Sequence, residues 1–167
     1  MILSAKHAPI LAIMLSSGLL IGAWIFQYGF KYLPCTMCYW QRHAHKAVLA
    51  AAVIAVLVGR YKPDFQKGMI WLIAAALLAS FIVAFWHVGV EYKWWEGPKT
   101  CASGGGAAAT FDPDNPLGWL DKKIKPPACT EAVWHFLGLS MAAWNAIASL
   151  IGAVVVLMLS RKEPTHD

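Results

Sequence analysis

The connection between the first two long apolar runs of the chain reads Pro34-Cys35-Thr36-Met37-Cys38-Tyr39-Trp40-Gln41-Arg42. It contains a Cys-x-x-Cys pair, and Arg42 follows the second cysteine by one helical turn in sequence. If the helix of the second run begins near Cys38, Cys38 and Arg42 share one face. The positive end of the helix dipole and the guanidinium would then both favour a thiolate at Cys38. The stretch therefore indicates a redox-active cysteine pair rather than a structural crosslink.

The apolar runs around this stretch predict an integral membrane protein. Of the 167 residues, 59% are hydrophobic and 14% are charged, whereas about a quarter of a soluble domain is charged. The nine tryptophans and five tyrosines fit aromatic anchors at two bilayer interfaces. The positive charges are scattered, so no nucleic-acid partner is predicted. We expect one all-α domain over 1–167, a bundle of four transmembrane helices at approximately 8–30, 42–59, 68–90 and 139–160.

An even number of spans places both cysteine-bearing connections, at approximately 31–41 and 91–138, on one side of the membrane. Cys35, Cys38, Cys101 and Cys129 would therefore face the same compartment. The distribution of basic residues slightly favours a cytoplasmic location for these loops. Paired cysteines favour an oxidising compartment instead. We favour the orientation in which the cysteines lie outside the cytoplasm.

The second cysteine-bearing connection is too long to be a simple linker. Cys101 precedes a small-residue tract at 103–109, which predicts a flexible segment that lets Cys101 move relative to Cys129. Further on, Leu117, Leu120 and Ile124 recur at helical spacing beside several lysines. This pattern predicts a short interfacial helix on the membrane surface, or equally a loop helix packed on the protein.

Four cysteines allow three pairings, and the spacing alone does not choose among them. A zinc site is disfavoured because Cys101 and Cys129 are far apart in sequence, unlike the close pairs of zinc ribbons. A set of purely structural disulfides in a non-enzymatic membrane protein is the stronger alternative. The Cys-x-x-Cys pair next to an arginine favours redox-active pairs over that alternative.

Several motifs resemble those of the DsbB family of bacterial inner-membrane thiol oxidases. The resemblance rests on Cys35-Thr36-Met37-Cys38-Tyr39-Trp40-Gln41-Arg42 between the first two spans and on Cys101 and Cys129 in the long loop. The segment Trp134-His135-Phe136-Leu137-Gly138-Leu139-Ser140-Met141, which leads into the fourth span, is similar to that family too. The match covers nearly the whole chain in order, spacing and topology.

The resemblance implies a function and a role for each cysteine. A periplasmic DsbA-like thiol oxidase would attack the loop disulfide at Cys101. Electrons would pass through exchange between Cys129 and Cys35 to the Cys35/Cys38 pair. Cys38 would deliver them to ubiquinone or menaquinone from the membrane quinone pool, and Arg42 would bind the quinone beside it. The protein would lie in the lipid bilayer of the inner membrane with its cysteines facing the periplasm.

His87 is a further candidate for the quinone site. It lies near the end of the third apolar run, and an ionisable residue within a membrane span is a functional candidate by default. An interfacial anchor is the alternative role for this histidine. The tryptophans, in contrast, are more typical of an interfacial belt than of a quinone site; they include Trp86, Trp94, Trp95, Trp119 and Trp134.

Overall fold

The computed structural model describes residues 5–62, 65–102 and 127–161. Five helices and one small hairpin occupy these residues. They are α1 (Ala8–Trp24), α2 (Thr36–Tyr61), α3 (Gln66–Glu91), α4 (Lys99–Ala102), β1 (His135–Phe136), β2 (Leu139–Ser140) and α5 (Met141–Ser160). A 3-10 turn at Ala5–His7 precedes α1, and a π-helical turn at Ile25–Gly29 extends it.

The four long helices confirm the predicted membrane-spanning bundle. Each is long and apolar enough to cross a bilayer, with α1 counted together with its two flanking turns. The helices pack in a ring in which α1 contacts α2, α2 contacts α3, α3 contacts α5, and α5 closes on α1. The protein is therefore a multi-pass membrane protein. The predicted interfacial helix at 117–124 and the tract at 103–109 lie outside the described residues.

Small residues in the interior let the helices approach one another closely. The main core combines several alanines with a few larger aliphatic side chains, among them Val48, Ile70, Ile73 and Leu77. Large apolar side chains point outward instead, as at Ile54, Ile82 and Ile151. This distribution suits a bilayer, where helix association depends on close packing because lipid is as apolar as the core.

Helix α2 begins at Thr36, six residues before the expected start of the second span at 42. Cys35 is its N-cap, and the Cys35 Sγ accepts a hydrogen bond from the Cys38 backbone N–H at 3.2 Å. The motif therefore forms the first turns of a helix and is not part of an extended loop. Cys38 and Arg42 lie one turn apart on that helix, as the sequence pattern anticipates.

A two-residue hairpin leads into α5 and was not predicted from the sequence. His135 pairs with Ser140 and Phe136 pairs with Leu139. The turn consists of Leu137 and Gly138, with φ angles of 52° and 79°, which is the left-handed backbone that suits a tight hairpin. Ser140 then caps α5, because its Oγ accepts the Ala143 N–H at 3.2 Å. The hairpin thus fixes the position where the fourth span starts.

Candidate active site

The four cysteines meet at one end of the bundle, as the even number of spans predicts. Cys35, Cys101 and Cys129 are buried in one cluster with Met37 and Val90, and Cys38 packs against it. Cys101 and Cys129 form a disulfide with a Cα–Cα distance of 5.3 Å. Cys35 and Cys38 are free thiols. A disulfide and a dithiol therefore lie side by side, which is the arrangement that thiol–disulfide exchange requires.

The two thiols of the Cys-x-x-Cys pair are in different environments. Their Sγ atoms lie 2.7 Å apart, and Cys35 is buried whereas Cys38 is partly exposed. The hydrogen bond with Cys38, together with burial, raises the pKa of the Cys35 thiol. Cys35 therefore retains its proton and can share it with the Cys38 sulfur. Cys38 is the sulfur of the pair that is available to an acceptor.

His87 lies next to the cysteine pair. Its Nε2 is 3.6 Å from the Cys35 Sγ and 3.8 Å from Glu91 Oε1. Its Nδ1 is 2.7 Å from Gln41 Nε2, and the ring also interacts with the Cys129 backbone. His87 therefore contacts both redox pairs, and it is buried rather than anchored at an interface.

Arg42 is held against the end of the first span. Its guanidinium donates to Gln27 Oε1 and, at 3.1 Å, to the Ala23 carbonyl oxygen. It also lies over the Tyr39 ring, 5.5 Å from the centroid. Gln27 belongs to the π-helical turn, a distortion that is frequent at functional sites. These contacts orient Arg42 in addition to its helical spacing from Cys38.

A cavity of about 250 Å³ opens beside the cysteine pair. Its walls are mainly apolar and come from the first span, from the segment before α5 and from α5 itself. Trp134 lines it and packs on Phe26 at a centroid distance of 4.9 Å, so this tryptophan is part of the site rather than only of an interfacial belt. The polar lining residues include Cys35, Cys38, Gln41, Arg42, His45, His87, Glu91 and Asn145.

The buried polar residues behind His87 were not predicted from the sequence. His45 and Asn145 join in a hydrogen bond of 2.7 Å between Nε2 and Oδ1, and Asn145 Nδ2 donates to Gln41 Oε1 at 2.7 Å. Glu91, one turn after His87, was a weaker candidate in the sequence, and its carboxylate accepts a hydrogen bond from the Ser140 hydroxyl. The available signal was the presence of polar side chains within apolar runs, where they are costly unless they are functional or paired.

The same site contains a group of metal-type ligands. The sulfur atoms of Cys35 and Cys38 and a ring nitrogen of His87 all lie within 4.8 Å of one another. Cys101 and Cys129 are joined in the disulfide, so they do not add ligands to this group. Sulfur and imidazole ligands at this spacing suit zinc or another soft metal, but the adjacent disulfide gives the same cysteines a partner for redox chemistry.

The chain is similar in sequence to known disulfide bond formation proteins. The sequence profile of disulfide bond formation protein DsbB matches residues 5–159. The chain is 27% identical to disulfide bond formation protein B of Shewanella frigidimarina, over 89% of this chain and 86% of that protein. It is 30% identical to the protein of that name from Shewanella sp. strain MR-4, over 80% of this chain and 74% of the relative. It is 28% identical to the protein of that name from Shewanella loihica, over 96% of this chain and 93% of that relative. With four membrane-spanning helices and a disulfide beside a Cys-x-x-Cys dithiol, the chain belongs to the DsbB family of disulfide bond formation proteins.

Proposed function

We propose that this protein is a quinone-dependent thiol oxidase of the bacterial inner membrane whose cysteines face the periplasm. It reoxidises a soluble DsbA-like dithiol oxidase and passes the electrons to ubiquinone or menaquinone. It thereby supports disulfide bond formation in exported proteins. The observation that carries the proposal is the burial of the Cys101–Cys129 disulfide and the Cys35/Cys38 dithiol in one cluster beside an apolar cavity.

The electron balance needs both cysteine pairs. The partner dithiol attacks Cys101, and resolution of the mixed disulfide yields an oxidised partner and reduced Cys101 and Cys129. These two thiols then reduce a Cys35–Cys38 disulfide by exchange through Cys129 and Cys35, which restores the loop disulfide. Re-formation of the Cys35–Cys38 disulfide releases two electrons and two protons. A bound quinone supplies the two-electron acceptor for this last step.

The residues around the cavity fit a quinone. Apolar walls that include Leu20 and Trp134 suit the ring and its isoprenoid tail. Arg42 can donate a charge-assisted hydrogen bond to a ring oxygen, and its contacts with Gln27 and Ala23 hold it ready to do so. Cys38 lines the same cavity, so the available sulfur and the cationic donor face one space.

The two thiols of the motif have complementary roles in this proposal. Cys38 is the sulfur that faces the acceptor, and Cys35 keeps a proton and faces the loop disulfide within the shared cluster. The His87 Nε2 lies beside Cys35. An N–H donor at that position stabilises the Cys35 sulfur whenever exchange leaves negative charge on it.

An activity assay tests the proposal. It mixes purified protein in detergent with a reduced DsbA-type oxidase and a soluble ubiquinone analogue. We expect the quinone absorbance to decay only when protein and partner are both present. Cys101→Ser should abolish partner oxidation while quinone binding persists. In a Cys129→Ser protein supplied with the quinone analogue, which oxidises Cys35/Cys38 and thereby takes up the two electrons, a partner that has only its nucleophilic cysteine should be trapped on Cys101.

Two results would contradict the proposal. Oxidation of the partner at an undiminished rate without quinone would show that quinone is not the electron acceptor. A trapped adduct on Cys35 instead of Cys101 would reverse the order of the two pairs.

A further inference from the structure

A chain of buried hydrogen bonds crosses the bundle and ends at His87. It consists of Ser16, His45, Asn145, Gln41 and His87, and we name these five residues the polar chain. They come from all four long helices. Each is at most 9% exposed. Buried polar groups at such depth are costly unless every one of them has a partner.

Each hydrogen bond of the polar chain is donated in the same direction, toward His87. Asn145 Nδ2 donates to Gln41 Oε1, so the other end of the Gln41 amide, Nε2, faces His87 Nδ1 at 2.7 Å. An amide nitrogen only donates, and Nδ1 must therefore be the unprotonated nitrogen of a neutral His87 ring. The remaining ring proton then lies on Nε2, which faces the Cys35 Sγ and Glu91.

The far end of the polar chain reinforces this direction. Asn145 Oδ1 only accepts, so the proton of His45 lies on Nε2, at 2.7 Å from that oxygen. His45 Nδ1 then accepts from the Ser16 hydroxyl at 3.2 Å. Ser80 and Ser149 lie beside the chain, and the Ser149 hydroxyl donates to Asn145 Oδ1 at 3.3 Å. Reversal of one amide would place two donors or two acceptors face to face. Reversal of both amides would move the His87 proton to Nδ1 and leave Nε2 as an acceptor facing the Glu91 carboxylate, which also accepts, at 3.8 Å. The contact with Glu91 therefore selects the first arrangement.

We propose that the polar chain fixes the tautomer of His87, so that a ring N–H always faces the Cys35 sulfur. Gln41, Asn145 and His45 are positioning residues in this scheme, since they act through His87. The chain is not a proton wire, because two carboxamides interrupt it and an amide does not readily release its proton. Only the benefit to catalysis rests on the proposed function; the tautomer rests on the hydrogen bonds of the polar chain and on the contact of His87 Nε2 with Glu91.

The tautomer can be measured directly in full-length protein in detergent micelles. In protein labelled with ¹⁵N-histidine at neutral pH, the ring nitrogens of neutral His87 should show a protonated Nε2 and an unprotonated Nδ1. Loss of the resonances in His87→Gln assigns them among the six histidines. A protonated Nδ1 in the unaltered protein would overturn the proposal, whatever the variants do.

Two variants test the link between the polar chain and His87. Gln41→Leu removes the donor to Nδ1, and Asn145→Leu removes the group that orients the Gln41 amide. A net hydrogen bond contributes about 1 kcal/mol, so each variant should lower the ratio of the Nε2–H to the Nδ1–H tautomer by roughly fivefold or more. Ser160→Ala is the matched control, because it removes another hydroxyl of α5, one that donates to the Leu157 carbonyl oxygen outside the polar chain, and it should leave the tautomer ratio unchanged.

The rate of exchange between the two cysteine pairs provides a second readout. It should fall in Gln41→Leu and Asn145→Leu in parallel with the tautomer ratio, and remain unchanged in Ser160→Ala. An unaltered tautomer ratio in folded Gln41→Leu protein would refute the role of the polar chain. A changed ratio together with an unchanged exchange rate would refute its value for catalysis, while the function of the cysteines would stand.

Discussion

At the scale of single residues, the Cys35/Cys38 pair is asymmetric. The hydrogen bond with Cys38 and burial raise the pKa of the Cys35 thiol, whereas Cys38 lies at the cavity. A raised pKa means that folded protein holds the Cys35 proton at pH values where an unfolded thiol would lose it. This contribution to stability is fully present below the ordinary thiol pKa and decreases as pH rises above it.

The asymmetry predicts the order in which the reduced pair is alkylated. At neutral pH, iodoacetamide should modify Cys38 first. Cys35 should react only at a pH higher than the pH at which an ordinary thiol is alkylated. In Cys38→Ala the main cause of the shift is removed, so the alkylation of Cys35 should move to lower pH. Mass spectrometry of peptides across a pH series measures both. Faster alkylation of Cys35 than of Cys38 at neutral pH would contradict the assignment.

Arg42 gives a second prediction at this scale. Arg42→Ala should weaken the apparent affinity for quinone by roughly 10- to 100-fold, because a hydrogen bond to a charged group contributes about 1.5–3 kcal/mol. Arg42→Lys should restore only part of it, since lysine lacks the planar fork that reaches Gln27 and Ala23. Exchange between the partner and Cys101 should continue in both variants.

Quinone reduction at varied quinone concentration measures this effect. Arg60→Ala is the matched control, because it removes the same charge from the last turn of the same helix, away from the cavity. An Arg42→Ala protein whose rate and quinone dependence match those of Arg60→Ala would exclude Arg42 from the site.

At the scale of elements, the end of α3 is shaped by a close approach between Gly89 and Trp95. A Cβ at Gly89 would lie 2.0 Å from Trp95 Cζ2. The indole is held there by its Nε1–H, which donates to the Trp86 carbonyl oxygen at 2.8 Å. This contact folds the segment after α3 back onto the helix, and that segment leads to α4 and Cys101.

Gly89→Ala should therefore destabilise this end of the molecule. Overpacking costs typically about 1–3 kcal/mol, so the thermal midpoint in detergent should fall and exchange at Cys101 should change. Gly68→Ala in the same helix is the control, since its Cβ would meet nothing within 4 Å and alanine favours helix formation. Trp95→Ala should suppress the effect of Gly89→Ala. Equal midpoints for the two alanine variants would show that the contact is unimportant.

At the scale of the whole molecule, the ring of four helices has the redox residues at one end. Helix α2 begins at that end and terminates at the opposite end of the bundle. Leu137, in the hairpin turn next to the site, is 78% exposed, and Tyr61, in the last turn of α2, is 84% exposed. In a protein that lacks its native cysteines, Leu137→Cys should react with a membrane-impermeant thiol reagent in cells whose outer membrane is permeable. Tyr61→Cys should react only after the inner membrane is opened. The reverse pattern would place the redox site in the cytoplasm.

The sequence by itself determined the membrane class and the four spans, whereas the pairing of Cys101 with Cys129 was decided by the tertiary structure. Long apolar runs have no other stable place than a bilayer, where only hydrogen-bonded helices can cross. The parity of the spans then brings all four cysteines to one end, and the buried cluster of Cys35, Cys101 and Cys129 agrees with it. Local spacing also placed Arg42 one turn after Cys38, because both lie within a single helix.

Only the tertiary structure decided which distant side chains meet at the site. Gln27 reaches Arg42 through a π-helical turn, and Asn145 reaches Gln41 across the bundle. The sequence shows such residues only as isolated polar positions in apolar helices, since their partners are set by helix rotation and by the order of the helices around the ring. The tautomer of His87 depends on a hydrogen bond from another helix, and no periodicity within one helix encodes a contact of that kind.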